Sequence, residues 1–392
     1  MIELKGFRAS GVACGIKPSG RPDLALIVSE HSAAAAGVFT SSRFPGAPVV
    51  VSRRRMRSGV ARAIVCNSGV SNVATGAQGI EDARSMTAEV ASLLDIAPSE
   101  VLVASTGVIG KRLPMDRVRS GISAAVDSLA SNGWQRASRA IMTTDKRPKL
   151  VTANGGGFGL CGIAKGAGMI MPNMATMLAF LASDAAIAAP LLDAMLREIV
   201  QDTFNCLTID GEMSTSDMVL VMANGAAGGA PATSERTPRA KDFRKALSDV
   251  CHELVERLAT DGEGVTKLAE ITVSGARSHA AADRVARKIA NSALVKTALF
   301  GGDPNWGRIV QAAGAAGVPF SPAHLSVAIG GVELLHAGEP VGADDVRRRA
   351  AKAMRSKRVA IDVGIGTGPG TAHVLTTDFS YDYVRINAEY TT

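Results

Sequence analysis

Ala175 followed by Thr176 is the residue pair in this chain with the most chemistry in it. It lies in the run Lys165-Gly-Ala-Gly-Met-Ile-Met-Pro-Asn-Met-Ala-Thr-Met-Leu-Ala-Phe180. If the backbone breaks between them, Thr176 carries a hydroxyl nucleophile and a free α-amine on one residue. Such an amine has a pKa of about 7.7–8, close to working pH, where a general base is most effective. A threonine activated by its own amine is one recognised route to a competent oxygen nucleophile. The same residues also suit a plain buried strand or helix start, with Gly-Ala-Gly and Met-Pro-Asn as turns, and by themselves they favour that reading.

An acyl-transfer reaction also needs donors for the oxyanion and groups that hold the substrate. Ser105-Thr106-Gly107-Val108-Ile109-Gly110 follows the strand-like run Val101-Leu-Val-Ala104. A glycine there lets backbone and ligand approach closely, although a simple strand-to-loop turn reads the same way. Other constellations are missing. There is no Gly-x-Ser-x-Gly elbow, His252-Glu253 has no second histidine at the zincin spacing, and the six histidines stand apart from one another and from the cysteines. Asn154-Gly-Gly-Gly-Phe-Gly159 follows no clear strand and opens no helix, so a hairpin turn is expected rather than a phosphate loop. Gly364-Ile-Gly-Thr-Gly-Pro-Gly370 has proline where a phosphate loop needs a donor N–H, and reads as a turn.

The run around Thr176 resembles the self-cleavage site of the ornithine acetyltransferase family, the glutamate N-acetyltransferases of the arginine pathway. The matching residues are Gly162-Ile-Ala-Lys165-Gly166 and Pro172-Asn-Met-Ala-Thr-Met-Leu178. Further matches are Asn67-Ser-Gly-Val-Ser-Asn72, Ala74-Thr-Gly76, Asp210-Gly211, Ser214-Thr-Ser-Asp217, Gly302-Asp-Pro-Asn-Trp-Gly-Arg308 and Tyr383 to Thr392. They cover most of the chain.

The resemblance implies cleavage at Ala175–Thr176 into an α chain (1–175) and a β chain (176–392), which assemble as two of each. It implies Thr106 and Gly107 as the oxyanion hole. The implied substrate contacts are Thr143 (from Thr143-Thr-Asp145), Lys165, Thr176 itself, Asn387 and Thr392, with Glu263 of Asp261-Gly-Glu-Gly264 as a further amine-binding candidate. The implied reaction moves acetyl from N-acetylornithine to glutamate through acetyl-Thr176, with no metal or organic cofactor and with acetyl-CoA as a possible co-substrate. A paralogous acyltransferase of a specialised pathway, or an amidohydrolase or aminopeptidase of the same fold, stays open. The sequence departs from the family at Ser216, where asparagine is common, at Glu212-Met213, and in a shorter segment between Asp145 and Lys165.

The elements that must position these residues are legible from composition and periodicity. The 392 residues suffice for one large domain or two to three smaller ones. Apolar residues make up 46% and charged ones 20%, while aromatics reach only 4%, so the core is expected to be aliphatic. The net charge of +7 and pI near 9.3 admit a nucleic-acid reading. Yet aromatics for base stacking are few beside Arg53-Arg-Arg-Met-Arg57 and Arg347-Arg-Arg349, no nucleic-acid motif occurs, and the second cluster lies on a helical stretch with alanines between, as a solvated face does; neither nucleic acid nor membrane is expected as a partner. The opening residues show no signal-peptide pattern, and no apolar run is long enough to span a bilayer. With five scattered cysteines this points to the cytoplasm.

Val49–Ser52, Ala63–Cys66, Val101–Ala104, Met218–Met222, Leu325–Ile329 and Val359–Val363 read as strands. Helical stripes run through Ala83, Met86, Val90, Leu93 and Leu94, through Met115, Val118, Ile122 and Leu129, and through Leu192, Met195, Leu196 and Ile199. The strongest runs from Phe243 to Leu258, and 224–237 is an exposed loop. The fold class is α+β with mixed sheets. The resemblance adds an αββα sandwich core over about 1–280 and a smaller C-terminal α/β unit over about 281–392.

Overall fold

Along the strand Leu178–Ser183 every residue is buried, and the side chains alternate between two different cores. Leu178, Phe180 and Ala182 face one, and Ala179 and Leu181 face the other. A strand covered on both faces carries an unbroken apolar run, and that is what Met-Leu-Ala-Phe-Leu-Ala supplies.

The structure is a computed structural model that describes residues 3–171, 177–342 and 344–389. Ala175, Thr176 and Thr392 lie outside the described residues. The first part of the chain forms β1 (Phe7–Val12), β2 (Leu24–Phe39), α1 (Ala47–Arg55), β3 (Val60–Val70), α2 (Gly76–Leu94), β4 (Val101–Val108), α3 (Met115–Asp127), α4 (Trp134–Ala140), β5 (Lys149–Gly155), β6 (Phe158–Lys165) and β7 (Leu178–Ser183). It continues with α5 (Ala189–Asp202), β8 (Leu207–Thr208), β9 (Met218–Ala223) and α6 (Pro238–Thr260). The remainder is β10 (Leu268–Gly275), α7 (His279–Ala290), α8 (Ala293–Gly301), α9 (Trp306–Gly314), β11 (Ser326–Ile329), β12 (Val332–His336), β13 (Glu339–Pro340), α10 (Asp344–Ala353), β14 (Arg358–Gly364), β15 (Gly368–Thr377) and α11 (Tyr381–Glu389).

The larger sheet runs β4-β3-β2-β9-β7-β6-β5, with β1 also paired to β2. It folds over on itself because β2 serves both halves. Leu24–Ser29 pairs with β1, Ala34–Phe39 pairs with β9, and the register against β3 shifts between Val28 and Ala33. The inner core lies between the halves. Ile64, Cys66, Leu102 and Ala104 contribute from one side, and Ile163, Phe180, Leu220 and Met222 from the other. Outside the first half, Ala63, Val65, Val101 and Val103 meet Met86 and Val90 of α2 and Val118 and Ile122 of α3. Outside the second, Leu160, Leu181, Val219 and Val221 meet Leu192 and Leu196 of α5 and Phe243, Leu247 and Leu254 of α6. The layers are helix, sheet, sheet, helix: an αββα sandwich.

The second sheet runs β13-β12-β11-β14-β10-β15-β8 and packs under α7, α9 and α10 with its own core. It takes in β10, which precedes residue 281, and β8, which comes from the middle of the chain. Among the described residues no helix is long and apolar enough to cross a membrane. All five cysteines are free.

Several local expectations change. Val49–Ser52 lies in helix α1, not in a strand. Pro48 stands in its first turn, where its fixed φ suits a helix and no N–H is lost. Three arginines close its last turn, where cations complement the helix dipole. The Ser52 hydroxyl donates to the Val103 carbonyl and accepts from the Val103 N–H, which docks the helix on β4 and overrides the strand propensity of Val-Val-Val. Asn154–Gly159 does follow a strand, β5, and forms the β5–β6 hairpin turn. Leu93 is exposed and Leu129 lies beyond the end of α3. Residues 365–367 alone form the expected C-terminal turn, because Gly368 and Gly370 already belong to β15.

Candidate active site

The cleft opens where β4 and β6 end and β7 and β9 begin. Its walls include Thr106, Gly107, Thr143, Lys165, Gly168, Asp210, Asp217, Glu263, Tyr383 and Asn387, and its open space is about 910 Å³. Leu178 also lines it. The strand that follows Thr176 therefore starts in this cleft, although residues 172–176 themselves are not described. Of the residues expected to act together, all the described ones meet here: Thr106, Gly107, Thr143, Lys165, Glu263 and Asn387.

Gly107 allows β4 to end as it does. Its φ is +129°, and a Cβ placed there would lie 2.3 Å from the Gly69 carbonyl carbon on β3. Any side chain would have to push β3 away, in a backbone region that L-residues rarely adopt. Beside it, the Ser105 hydroxyl donates to Asn67 Oδ1 at 2.5 Å, and Asn67 Nδ2 donates to the Val70 carbonyl at 2.8 Å. These buried bonds brace the irregular pairing at Gly69 and Val70. Lys165, at the end of β6, donates to Thr106 Oγ1 at 2.9 Å and to Thr143 Oγ1 at 3.4 Å. One ammonium thus ties together the two threonines singled out from sequence.

Asp145 organises this corner. Its Oδ2 accepts from the Thr143 N–H at 2.9 Å, and its Oδ1 accepts from the Gly166 N–H at 2.7 Å and from Lys149 Nζ at 2.6 Å. Burial pushes the carboxyl up, but the Lys149 and Lys165 charges and the Gly166 amide outweigh it and hold it below the usual carboxylate range. Lys149 is itself buried and also donates to Asp261 Oδ2 at 2.6 Å, two residues before Glu263. A buried ion pair is costly to break from one side, because the surviving charges lose their partner.

Lys149→Met is accordingly expected to lower unfolding free energy by about 3–5 kcal/mol, read from urea titration at neutral pH. Asp145 titrates lower folded than unfolded, so its contribution is full above its reference value of 3.8 and fades as pH falls through the folded value. The variant loses that contribution and should unfold at a higher pH than the parent protein. A stability profile that matches the parent's on the acid side would show that the triad is not a structural anchor.

Glu263 reaches the cleft through a gap left by Gly168. A Cβ at Gly168 would lie 2.3 Å from Glu263 Oε2. That oxygen accepts from Asn387 Nδ2 at 2.9 Å, so two candidates far apart in sequence meet directly. No cation among the described residues forms an ion pair with Glu263, which leaves its charge available to an ammonium group.

The residue patterns alone gave no role to Asp217, Asp210 or Tyr383. Asp217 is buried, its Oδ2 has no hydrogen-bond partner among the described residues, and it lines the cleft. Burial pushes its carboxyl well above the usual carboxylate range, against the Ser214 hydroxyl and Lys165, which pull it down. Tyr383 stacks on Phe379 with centroids 4.5 Å apart. The signal for all three lay in the motifs Asp210-Gly211, Ser214–Asp217 and Tyr383–Thr392, which were recognisable without showing what they face. Among the described residues no His, Cys, Asp and Glu cluster is arranged to hold a metal ion.

An αββα sandwich with hydroxyls, a lysine and carboxylates converging at the start of an internal strand defines an enzyme class that acts on small molecules at that strand's end. Similarity to known proteins narrows that class. The sequence profile of the ArgJ family matches residues 8–392. The arginine biosynthesis bifunctional protein ArgJ of Geobacter sulfurreducens is 47% identical over the full length of both chains. That of Synechocystis is 47% identical, covering 99% of this chain and 97% of its own. The crystal structure of the Bacillus halodurans ArgJ protein is 42% identical with a TM-score of 0.50, over 53% of this chain and 96% of that one. The chain belongs to the ArgJ family. It is an N-acetyltransferase of arginine biosynthesis.

Proposed function

We propose that this enzyme transfers acetyl from N-acetylornithine to glutamate through an ester on Thr176, after cutting its own backbone at Ala175–Thr176. In the precursor, Thr176 Oγ attacks the Ala175 carbonyl and the acyl group shifts from nitrogen to oxygen. The hydroxyl proton ends on the released amine. Water then hydrolyses the ester, leaving the Ala175 carboxylate and a free Thr176 hydroxyl. In turnover the amine takes the Thr176 proton as Oγ attacks the acetyl carbonyl, and gives it to departing ornithine. Glutamate's amine then attacks the acetyl ester and restores Thr176. The two halves form a ping-pong cycle. Nucleophile and base both belong to Thr176, so the scheme calls on no metal or organic cofactor.

The observation that carries this reading is the meeting of Thr106, Gly107, Lys165 and Glu263 around the start of β7, the strand that continues from Thr176. Thr106 Oγ1 and the Gly107 N–H serve as oxyanion donors. Thr143 and Lys165 hold the acyl-amino acid, and Glu263 with Asn387 receives its ammonium, with Thr392 as a further contact. The Bacillus halodurans chain adds support: it is matched over 96% of its length yet spans 53% of this one, the size relation expected of a cleaved subunit. Acetyl-CoA as a second acetyl donor to glutamate is part of the same proposal. Two α chains (1–175) and two β chains (176–392) in the cytoplasm complete the proposal.

The decisive assay follows labelled acetyl from N-acetylornithine to glutamate. Release of ornithine without an acceptor would mark a hydrolase instead, and inertness toward N-acetylornithine would mark a different acyl donor. Within this scheme Gly168→Ala should displace Glu263 and raise KM for N-acetylornithine about tenfold or more, the cost of roughly one lost ionic contact. Steady-state kinetics that leave KM unchanged would remove Glu263 from the substrate site.

A further inference from the structure

We propose that Asp210 is a positioning residue for the backbone scission itself: it fixes the turn at Met169–Ile170 as the upstream anchor of segment 172–176. The inference rests on the cleavage reading above. Asp210 Oδ2 accepts from the Met169 N–H at 2.5 Å, and Oδ1 accepts from the Ile170 N–H at 2.8 Å and the Glu212 N–H at 3.2 Å. The Ile170 carbonyl in turn accepts from the Ile209 N–H at 2.7 Å. Both backbone groups of Ile170 are therefore held by residues 209 and 210.

Met169 sits at φ 54°, a left-handed conformation that a non-glycine residue keeps only where its surroundings impose it. The double acceptance by Asp210 imposes it. Downstream, the Met177 carbonyl accepts from the Met218 N–H at 3.0 Å, and Leu178 enters the sheet opposite Met218. The chain thus has a fixed point on each side of the Ala175–Thr176 bond.

The clamp is backed from the second sheet. Lys296, fully buried on α8, donates to the Ile209 carbonyl at 2.7 Å, to Thr376 Oγ1 at 2.8 Å and to the Thr377 carbonyl at 2.7 Å. Intramolecular attack of a hydroxyl on its own preceding carbonyl needs the reacting atoms held near contact, and a misplacement of about 1 Å costs on the order of 10²-fold. Anchors at Ile170 and Met177 fix the two points between which the chain must run through that bond. Among the described residues Asp210 accepts from backbone amides, so it acts through the turn it holds.

The test compares wild type, Asp210→Ala, Asp210→Asn and Thr176→Ala as full chains made by cell-free translation, with fragments followed over time by intact mass. Asp210→Ala should slow fragment appearance at least tenfold, while kcat per cleaved chain falls by a much smaller factor. Asp210→Asn, which keeps one acceptor oxygen, should fall between. Cleavage of Asp210→Ala at the wild-type rate overturns the proposal. So does a loss of kcat per cleaved chain as large as the loss in cleavage rate, because that would place Asp210 at the substrate. If Asp210→Ala does not fold, an unchanged rate in Asp210→Asn overturns it equally, and a rate at least threefold slower supports it. Wild type that never fragments would sink the cleavage reading, and this inference with it, whereas fragmenting wild type beside intact Thr176→Ala isolates the result to Asp210.

Discussion

Thr176→Ala is expected to yield one unbroken chain of about 40.4 kDa with acetyl transfer reduced by at least roughly 10⁴-fold, the scale seen when an acyl-enzyme nucleophile is removed. Wild type should instead give two fragments meeting at 175/176. The substitution deletes one hydroxyl and one methyl from a chain whose two halves already share the inner and outer cores of one sandwich, so folding is not expected to suffer. Both losses come from the same oxygen, and they should appear together. In mature wild type, kcat/KM should fall as pH drops below about 7.7–8, where the α-amine gains a proton and ceases to be a base. Intact mass combined with a pH–rate profile checks both. An unbroken but fully active wild-type chain would end the proposal.

The second large effect concerns Thr106. Thr106→Val removes a hydroxyl at nearly constant shape, and kcat is expected to fall about 10²–10³-fold, equivalent to roughly 2.7–4 kcal/mol of transition-state stabilisation. KM should move only a few-fold, because the oxyanion exists in the transition state and not in bound substrate. Lys165 loses its 2.9 Å contact in this variant but keeps Thr143. A fall in kcat/KM carried wholly by KM would reassign Thr106 to ground-state binding. Gly107→Ala should cost stability as well as rate, since its Cβ would collide with Gly69 across the β3–β4 ladder. The contrast between the two variants separates chemistry from fold.

Individual residues show how far the sequence reached. Strands buried on both faces were legible because continuous apolar runs have few other uses, as in Met218–Met222. The helix at Val49–Ser52 was not, because its three valines favour a strand and only Pro48 together with docking on Val103 reverses that. Thr106, Gly107, Thr143, Lys165, Glu263 and Asn387 could be named in advance from motifs. That Lys165 bridges two threonines, and that Asn387 reaches Glu263, could not.

What the sequence determined by itself is the chemistry available: a threonine poised after alanine, a glycine at a strand end, and carboxylates spaced through motifs whose residue types fit acyl transfer. What the tertiary structure alone decided is which of them share one space. Asp145, Lys149 and Asp261 close into a buried triad across 117 positions, from 145 to 261 inclusive. Asp210 pins a turn 40 residues away, and Asp217 stands in the cleft with an oxygen unpartnered among the described residues. Side-chain identity is local and survives in a string of letters. Proximity is set by how sheets fold over a common core, and no local pattern records the pairing of distant charges once water is excluded from between them.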